Sequence, residues 1–177
     1  MWSIILLINW KHTGPQFNRE DSQNILISKS EEHSEHNILC IGGAISIDRY
    51  DRQKYDNRNR ISKVASYWPN EIPVYNEPLL NEISKEFKID MVITHTAPSF
   101  CELISKDGIA NWAEWDNKLL ADIDDERQTI DKIFNHLKAD GHPVSHWYYG
   151  HFHRSWTAEI EGILFSMLDI MEFKEIR

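Results

Sequence analysis

The sequence has little cysteine, and neither of its cysteines belongs to a pattern that cross-links a fold. Cys40 and Cys101 are the two cysteines of the chain, and no Cys-x-x-Cys motif contains either of them. A disulfide framework needs more cysteines than this, and isolated thiols are typical of proteins in a reducing compartment. We therefore expect both thiols to be reduced and the protein to be cytoplasmic.

Positive charge is also scarce. The chain has 19 Lys and Arg against 28 Asp and Glu, which gives a formal net charge of -9 at pH 7. Nonspecific binding to nucleic acid or to an anionic membrane depends on basic surfaces. We therefore expect neither nucleic acid nor a membrane as a partner. An anionic substrate would need a local source of positive charge, such as a bound metal ion.

Long hydrophobic runs are absent as well. The apolar run at residues 4–8 is too short to cross a bilayer, and it lacks the basic start and cleavage site of a signal peptide. We expect it to form a buried strand or a terminal segment. With 177 residues, a hydrophobic fraction of 41% and no internal repeat, the chain is typical of one globular domain.

Short apolar runs and amphipathic segments alternate along the chain. The runs at residues 37–43, 90–94 and 144–149 are typical of strands that are buried on both faces. Residues 77–88 and 117–139 carry apolar side chains at helical spacing, which predicts one helix in each segment. Helices that alternate with buried strands favour an α/β fold.

The last part of the sequence predicts a β-hairpin. Apolar runs at residues 156–160 and 163–168 flank the dipeptide Glu161-Gly162, which is typical of a tight turn. A last strand is predicted within residues 170–177. Residues 49–60, by contrast, form only a charged stretch without an apolar stripe.

Three histidines follow two of the predicted strands. His95 comes directly after the run at 90–94, and Gly150 separates the run at 144–149 from His151 and His153. Residues two apart in an extended chain point to the same face. Ligands of open α/β sheets bind beyond the carboxyl ends of the strands. These histidines are therefore candidate metal ligands, since imidazole suits zinc, iron and manganese. The alternative is that they are exposed loop histidines.

Two further patterns have a structural and a functional interpretation. His33 and His36 lie in a polar cluster at residues 30–36, where exposed loop histidines are the simpler interpretation and metal ligation is the alternative. Gly42-Gly43 closes the first apolar run and favours a tight turn. The functional alternative is a loop whose backbone lines a pocket near Asp48 and Arg49.

These residues carry a resemblance to a known family. Residues 93–98 (ITHTAP) and 149–153 (YGHFH) resemble the last two metal motifs of the calcineurin-like metallophosphoesterases. Residues 41–48 (IGGAISID) resemble the GGAxSxD stretch of a bacterial and phage-like subgroup of that family. The order and spacing match, so the resemblance covers about residues 37–177.

The resemblance implies a fold, an activity and a set of ligands. The fold would belong to the α/β class, with an α+β-like arrangement. It would be a sandwich of two β-sheets flanked by helices. The activity would be metal-dependent hydrolysis of a phosphoester at a two-metal centre. His95 and His151 would bind one divalent transition metal ion and His153 the other, with manganese, zinc or iron as the candidates.

The sequence departs from the family pattern before residue 37. The family's DxH, GDxxD and GNH[DE] motifs should precede the GGAxSxD stretch, and residues 1–36 contain none of them. The resemblance thus implies an unassigned leader at 1–36 and the C-terminal portion of a calcineurin-like phosphoesterase domain at 37–177. Its N-terminal strands would be missing, the dimetal site would be incomplete, and no catalytic residue is assigned.

Two functions follow from this incomplete match. The first is a phosphoesterase whose own dimetal site lacks the bridging carboxylate, the asparagine ligand and the acid histidine. The second is a noncatalytic metal-binding or interaction module derived from the same fold. A sandwich without its first strands leaves edges and apolar faces uncovered, which predicts self-association.

Overall fold

The computed structural model describes residues 25–29, 36–58, 72–101 and 109–174. The predictions for residues 4–8, for His33 and for the end of the segment 170–177 therefore fall wholly or partly outside the described residues. Residues 170–174 lie in a turn and an irregular segment, without the last strand that the sequence predicts there.

The described strands belong to one mixed sheet. In chain order they are β1 (Ile25–Lys29), β2 (Asn37–Ile41), β3 (Met91–Thr94), β4 (His146–Tyr149), β5 (Trp156–Ile160) and β6 (Ile163–Met167). Their spatial order is β1-β2-β3-β4-β6-β5. The four central strands are parallel, and β1 and β5 are antiparallel edge strands. The prediction of an α/β fold is confirmed at this level. β1 lies within the segment 1–36 that the sequence left unassigned.

Four helices connect these strands within the described residues: α1 (Arg49–Arg58), α2 (Glu77–Glu86), α3 (Ile109–Ala113) and α4 (Leu119–Ala139). The Asn76 side chain caps α2 by accepting the Leu79 N–H, and Pro78 lies in the first turn, where a missing N–H costs nothing. Gly141 ends α4 in the left-handed conformation, with φ of 66°. The described side chains of α1, residues 49–55, include no buried apolar residue, and the sequence accordingly predicts only a charged stretch there.

The hairpin prediction is confirmed. β5 and β6 pair antiparallel, with Ile160 opposite Ile163. The two residues between them, Glu161 and Gly162, have φ of 52° and 79°. Positive φ at both central positions is the type I′ pattern, whose twist matches that of the paired strands.

Side chains on the two faces of the sheet form separate core clusters, because successive strand residues point to opposite faces. The larger cluster joins β2, β3, β4 and β6 to α2 and α4. It includes Leu39, Val92, Trp147, Phe165, Leu80, Ile83, Ile130, Ile133 and Phe134. Burying one such side chain stabilises the fold by about 1.5–3 kcal/mol. The smaller cluster consists of Ile38, Met91, Ile93 and Tyr148 on the opposite face, with Cys40 packed against it.

Both cysteines are free thiols in the structure. Burial raises the pKa of Cys40 to about 11. Burial also raises the pKa of Cys101 to about 12, against smaller opposing effects of Tyr149 and Arg127. Both thiols are therefore protonated at neutral pH and are weak nucleophiles.

Candidate functional site

Three parallel strands end side by side at one edge of the sheet. Ile41 of β2 is in register with Thr94 of β3, and Thr94 is in register with Tyr149 of β4. Two further hydrogen bonds continue past the strand ends: His95 N–H donates to Ile41 O (3.2 Å), and Gly150 N–H donates to His95 O (3.3 Å). The segments that follow these strands therefore leave the sheet next to one another.

This arrangement brings His95 and His151 into contact. Nε2 of His95 lies 3.3 Å from Nδ1 of His151. The ring centroids are 5.0 Å apart, and the planes meet edge to face at 61°. The two histidines come from different strand ends, as the sequence predicts, and their nitrogens face each other directly.

The second nitrogen of His151 fixes its tautomer. Nε2 lies 3.1 Å from the carbonyl oxygen of Ile45, in the loop that follows β2. A carbonyl oxygen only accepts hydrogen bonds, so Nε2 carries the proton and donates it. In the neutral ring Nδ1 is then an acceptor, and it is this atom that faces Nε2 of His95.

Both rings are neutral at pH 7. The pKa of His151 is lowered to about 4, chiefly by burial and next by the neighbouring His95, while the Ile45 carbonyl opposes the shift. Burial also lowers the pKa of His95, with a smaller effect of His153 in the same direction. Neutral imidazole is the form that binds metal ions.

His153 differs from His151 in its exposure to solvent. It is exposed, and its φ of 53° follows a φ of 71° at His151. Both values are left-handed, so the extended backbone ends before His151, and strand alternation does not place the two side chains on one face. His153 is still close enough for its charge to lower the pKa of both other histidines.

The distance between the two facing histidine nitrogens suits two ligands of one metal ion. Two nitrogens that bind one zinc ion at about 2.1 Å each, with a tetrahedral angle between them, lie about 3.4 Å apart. The separation of 3.3 Å between His95 and His151 matches this value. Among the described residues, no group of three or more His, Cys, Asp or Glu side chains has the geometry of a metal site. The pair therefore provides two donors, and the remaining positions would be filled by other groups.

A buried carboxyl group beneath the loops is a feature that the sequence analysis missed. Glu126 of α4 is 5% exposed, and its Oε2 accepts a hydrogen bond from the Ile45 N–H. Burial raises the pKa of Glu126 to about 7, against smaller opposing effects of the Thr96 hydroxyl and the Ile45 amide. The signal was present: Glu126 and Arg127 interrupt the apolar stripe between Ile123 and Ile130.

Helix α4 also holds the loop that follows His95. The Arg127 guanidinium is buried, and its Nη2 lies 2.7 Å from Pro98 O, 2.9 Å from Ser99 O and 2.8 Å from Cys101 O. One turn later, the Asp131 carboxylate accepts hydrogen bonds from Ser99 N–H (2.7 Å) and Ser99 Oγ (2.5 Å). These contacts fix residues 98–101 against the helix.

The start of α4 is tied to the loop after β2 through α1. Arg49 at the start of α1 donates from Nε to Asp116 (2.5 Å) and from Nη2 to Asp122 (2.6 Å). The Asp116 hydrogen bond is the main cause that raises the pKa of Arg49, so the guanidinium is fully charged. Asp116 lies before the N-cap residue of α4, Lys118, and accepts its N–H.

The remaining sequence candidates are His36 and the glycine pair Gly42-Gly43. His36 pairs with Asp90 through Nδ1 at 3.2 Å, next to the start of β3 and so away from the histidine pair. Gly43 has φ of 97°, in the irregular segment that joins β2 to α1 and contains Ile45. The carbonyl of Ile45 in this segment contacts Nε2 of His151.

No family model matches the chain, and no curated protein matches it. Within the described residues, no helix combines the length and the apolar character needed to cross a membrane.

Proposed function

We propose that this chain is the C-terminal portion of a calcineurin-like metallophosphoesterase, a metal-dependent hydrolase of phosphoesters. The observation that carries the proposal is the contact between His95 and His151. Two neutral imidazoles from two strand ends meet at 3.3 Å, a separation suited to two ligands of one ion. The motifs that contain them are those that resemble the metal motifs of the family.

In this proposal His95 and His151 hold one manganese, zinc or iron ion, and His153 contributes to a second. Two bound ions in such a centre would polarise the phosphoryl group and lower the pKa of a water nucleophile. The chain's own residues keep the imidazoles neutral by burial and orient them. Imidazole carries no negative charge, so a tight metal pair requires carboxylates such as those of the DxH and GDxxD motifs.

The sandwich fold of the family is part of the same proposal. The described strands form one sheet with α2 and α4 packed on one face, and the opposite face carries the apolar cluster of Ile38, Met91, Ile93 and Tyr148. The second sheet of the family's sandwich would lie on that face, where the cluster residues of this chain are already buried. Supplying the family's N-terminal strands together with their motifs is therefore the natural test of both fold and activity.

The alternative function is a noncatalytic metal-binding or interaction module. It is favoured by the small number of ligands, because the described residues hold no group of three metal-binding side chains in metal-site geometry. Such a module would bind one ion weakly and would not hydrolyse phosphoesters even with the missing motifs restored.

Metal binding is the first measurement. We expect the purified chain to bind about one transition metal ion weakly, by mass spectrometry of bound metal and by calorimetry, and the double variant H151A/H153A to lose binding. His146→Ala is the matched control, since His146 begins β4 at the end remote from the site. Equal affinity of the wild type and H151A/H153A would refute the metal site.

Activity is the second measurement. We expect negligible hydrolysis of an aryl phosphodiester by the chain with manganese or zinc, since a positioned general acid alone contributes about 10²–10⁴-fold. Adding a segment that bears DxH, GDxxD and GNH, fused or in trans, should produce activity that His95→Ala abolishes. Turnover by the 177-residue chain alone, lost in His95→Ala, would contradict the incomplete site. No turnover after restoration would favour the noncatalytic module.

A further inference from the structure

A line of hydrogen bonds joins the middle of α4 to the histidine pair. Glu126 Oε2 accepts the N–H of Ile45, and the carbonyl of Ile45 accepts Nε2–H of His151 at 3.1 Å. His151 Nδ1 then faces His95 Nε2 at 3.3 Å. The connection joins distant parts of the sequence. Glu126 is 81 residues from Ile45, and His151 is 106 residues from Ile45.

The hydrogen bond between Glu126 and Ile45 also constrains the backbone of Ile45. The N–H and C=O of Ile45 flank one α-carbon, in a segment that is neither helix nor strand. The Ile45 side chain is buried at 5% exposure, so the residue has little freedom to turn about that carbon. An acceptor that holds the N–H therefore also sets the direction of the carbonyl that receives His151.

From this geometry we infer that Glu126 is a positioning residue for the metal site. By holding Ile45, it keeps Nε2 of His151 protonated and leaves the Nδ1 lone pair aimed at the space shared with His95. Metal-binding histidines commonly donate their second N–H to a backbone carbonyl or a carboxylate, and this partner fixes both tautomer and ring orientation. The inference concerns His151 in the metal-free protein, and its role in metal binding rests on the proposed function.

The side-chain chemistry of Glu126 predicts which replacements preserve this role. The carboxyl group accepts a hydrogen bond whether or not it is protonated, because the carbonyl oxygen of the acid form still accepts. Glu126→Gln keeps an acceptor at the same reach, so it should preserve the tautomer of His151. Glu126→Met keeps the length but removes the acceptor, and Glu126→Asp withdraws the acceptor by one methylene.

The experiment reads the tautomer directly, by nitrogen NMR of the metal-free protein with labelled histidine. We expect one tautomer of His151, protonated at Nε2, in the wild type and in Glu126→Gln. Glu126→Met should give a mixture of tautomers. The control is Ile133→Ala, a fully buried residue of the same helix in the core away from the site, whose loss destabilises the fold without touching Ile45.

Comparing these variants distinguishes a positioning role of Glu126 from a general effect on the stability of the fold. A mixed tautomer in Glu126→Met with a single tautomer in Ile133→Ala supports the inference. A single tautomer in all variants, or mixing in Ile133→Ala as well, overturns it, and so does mixing in Glu126→Gln. If Glu126→Met does not fold, Glu126→Asp decides: partial mixing supports the role, and an unchanged tautomer refutes it.

Metal affinity provides a second readout that distinguishes this inference from the proposed function. Loss of such an outer partner typically lowers metal affinity about 10–100-fold, and we expect this range for zinc in Glu126→Met but unchanged affinity in Glu126→Gln. Tautomer mixing without zinc binding in any variant would refute the metal site and leave the positioning role intact. A single His151 tautomer in Glu126→Met together with zinc affinity equal to that of the wild type would refute the positioning role and leave the metal site intact.

Discussion

Replacing Arg127 by methionine tests how firmly α4 holds the loop that follows His95. The guanidinium Nη2 lies within hydrogen-bonding distance of three carbonyl oxygens, but it has only two hydrogens. The interaction is thus equivalent to about two bonds from a charged donor, each contributing about 1.5–3 kcal/mol. Burying the guanidinium charge is costly, and the variant avoids this cost, which offsets part of the loss.

We therefore expect Arg127→Met to lower the free energy of unfolding by about 3 kcal/mol. For a chain of this size the same loss lowers the melting temperature by about 6–12 °C. Urea unfolding followed by tryptophan fluorescence measures it. Arg52→Met is the control, because the Arg52–Asp48 pair is half-exposed and should contribute at most about 1 kcal/mol. A loss in Arg127→Met no larger than in Arg52→Met would refute the holding role.

Two more predictions concern pH and association. The pKa of Glu126 is raised in the folded protein to about 7 from 4.5. Its protonated form therefore stabilises the fold below pH 4.5, and that stability is lost as the pH rises to about 7. In urea unfolding, the free energy of unfolding of the wild type relative to Glu126→Gln should fall by up to about 3 kcal/mol between pH 4.5 and 7.5. A difference that stays constant with pH would show that Glu126 has an ordinary pKa. We also expect the chain to self-associate, as uncovered sheet edges do, and a sharp monomer peak in light scattering with a reversible thermal transition would contradict this.

The strands that carry the site could be predicted from the sequence because their composition is unusual. A parallel strand buried on both faces gives a continuous apolar run, and β3, with all four residues buried, is such a case. His95 and His151 follow two such runs, so the apolar pattern alone was enough to expect them at one sheet edge. The long amphipathic stripe of α4 predicted that helix to within two residues of its start.

Other features could not be predicted because they depend on contacts between distant parts of the chain. Glu126 breaks an apolar stripe, but nothing in the sequence indicates that its partner is the backbone of Ile45. The left-handed backbone at His151 and His153 departs from the extended geometry that the spacing of the two residues suggests. Such a conformation is uncommon for residues other than glycine.

The parallel connections of the sheet have a consequence for how the protein folds. His95 and His151 are 56 residues apart in sequence, and the parallel pair of β3 and β4 that brings them together requires a long crossover. Contacts of this kind form slowly, because a long loop must close before the pair is stabilised. A divalent ion mixed with the unfolded chain therefore finds no paired imidazoles to bind. If the proposed metal site forms, a bound ion would slow the unfolding of the finished sheet without changing the rate at which the sheet first assembles.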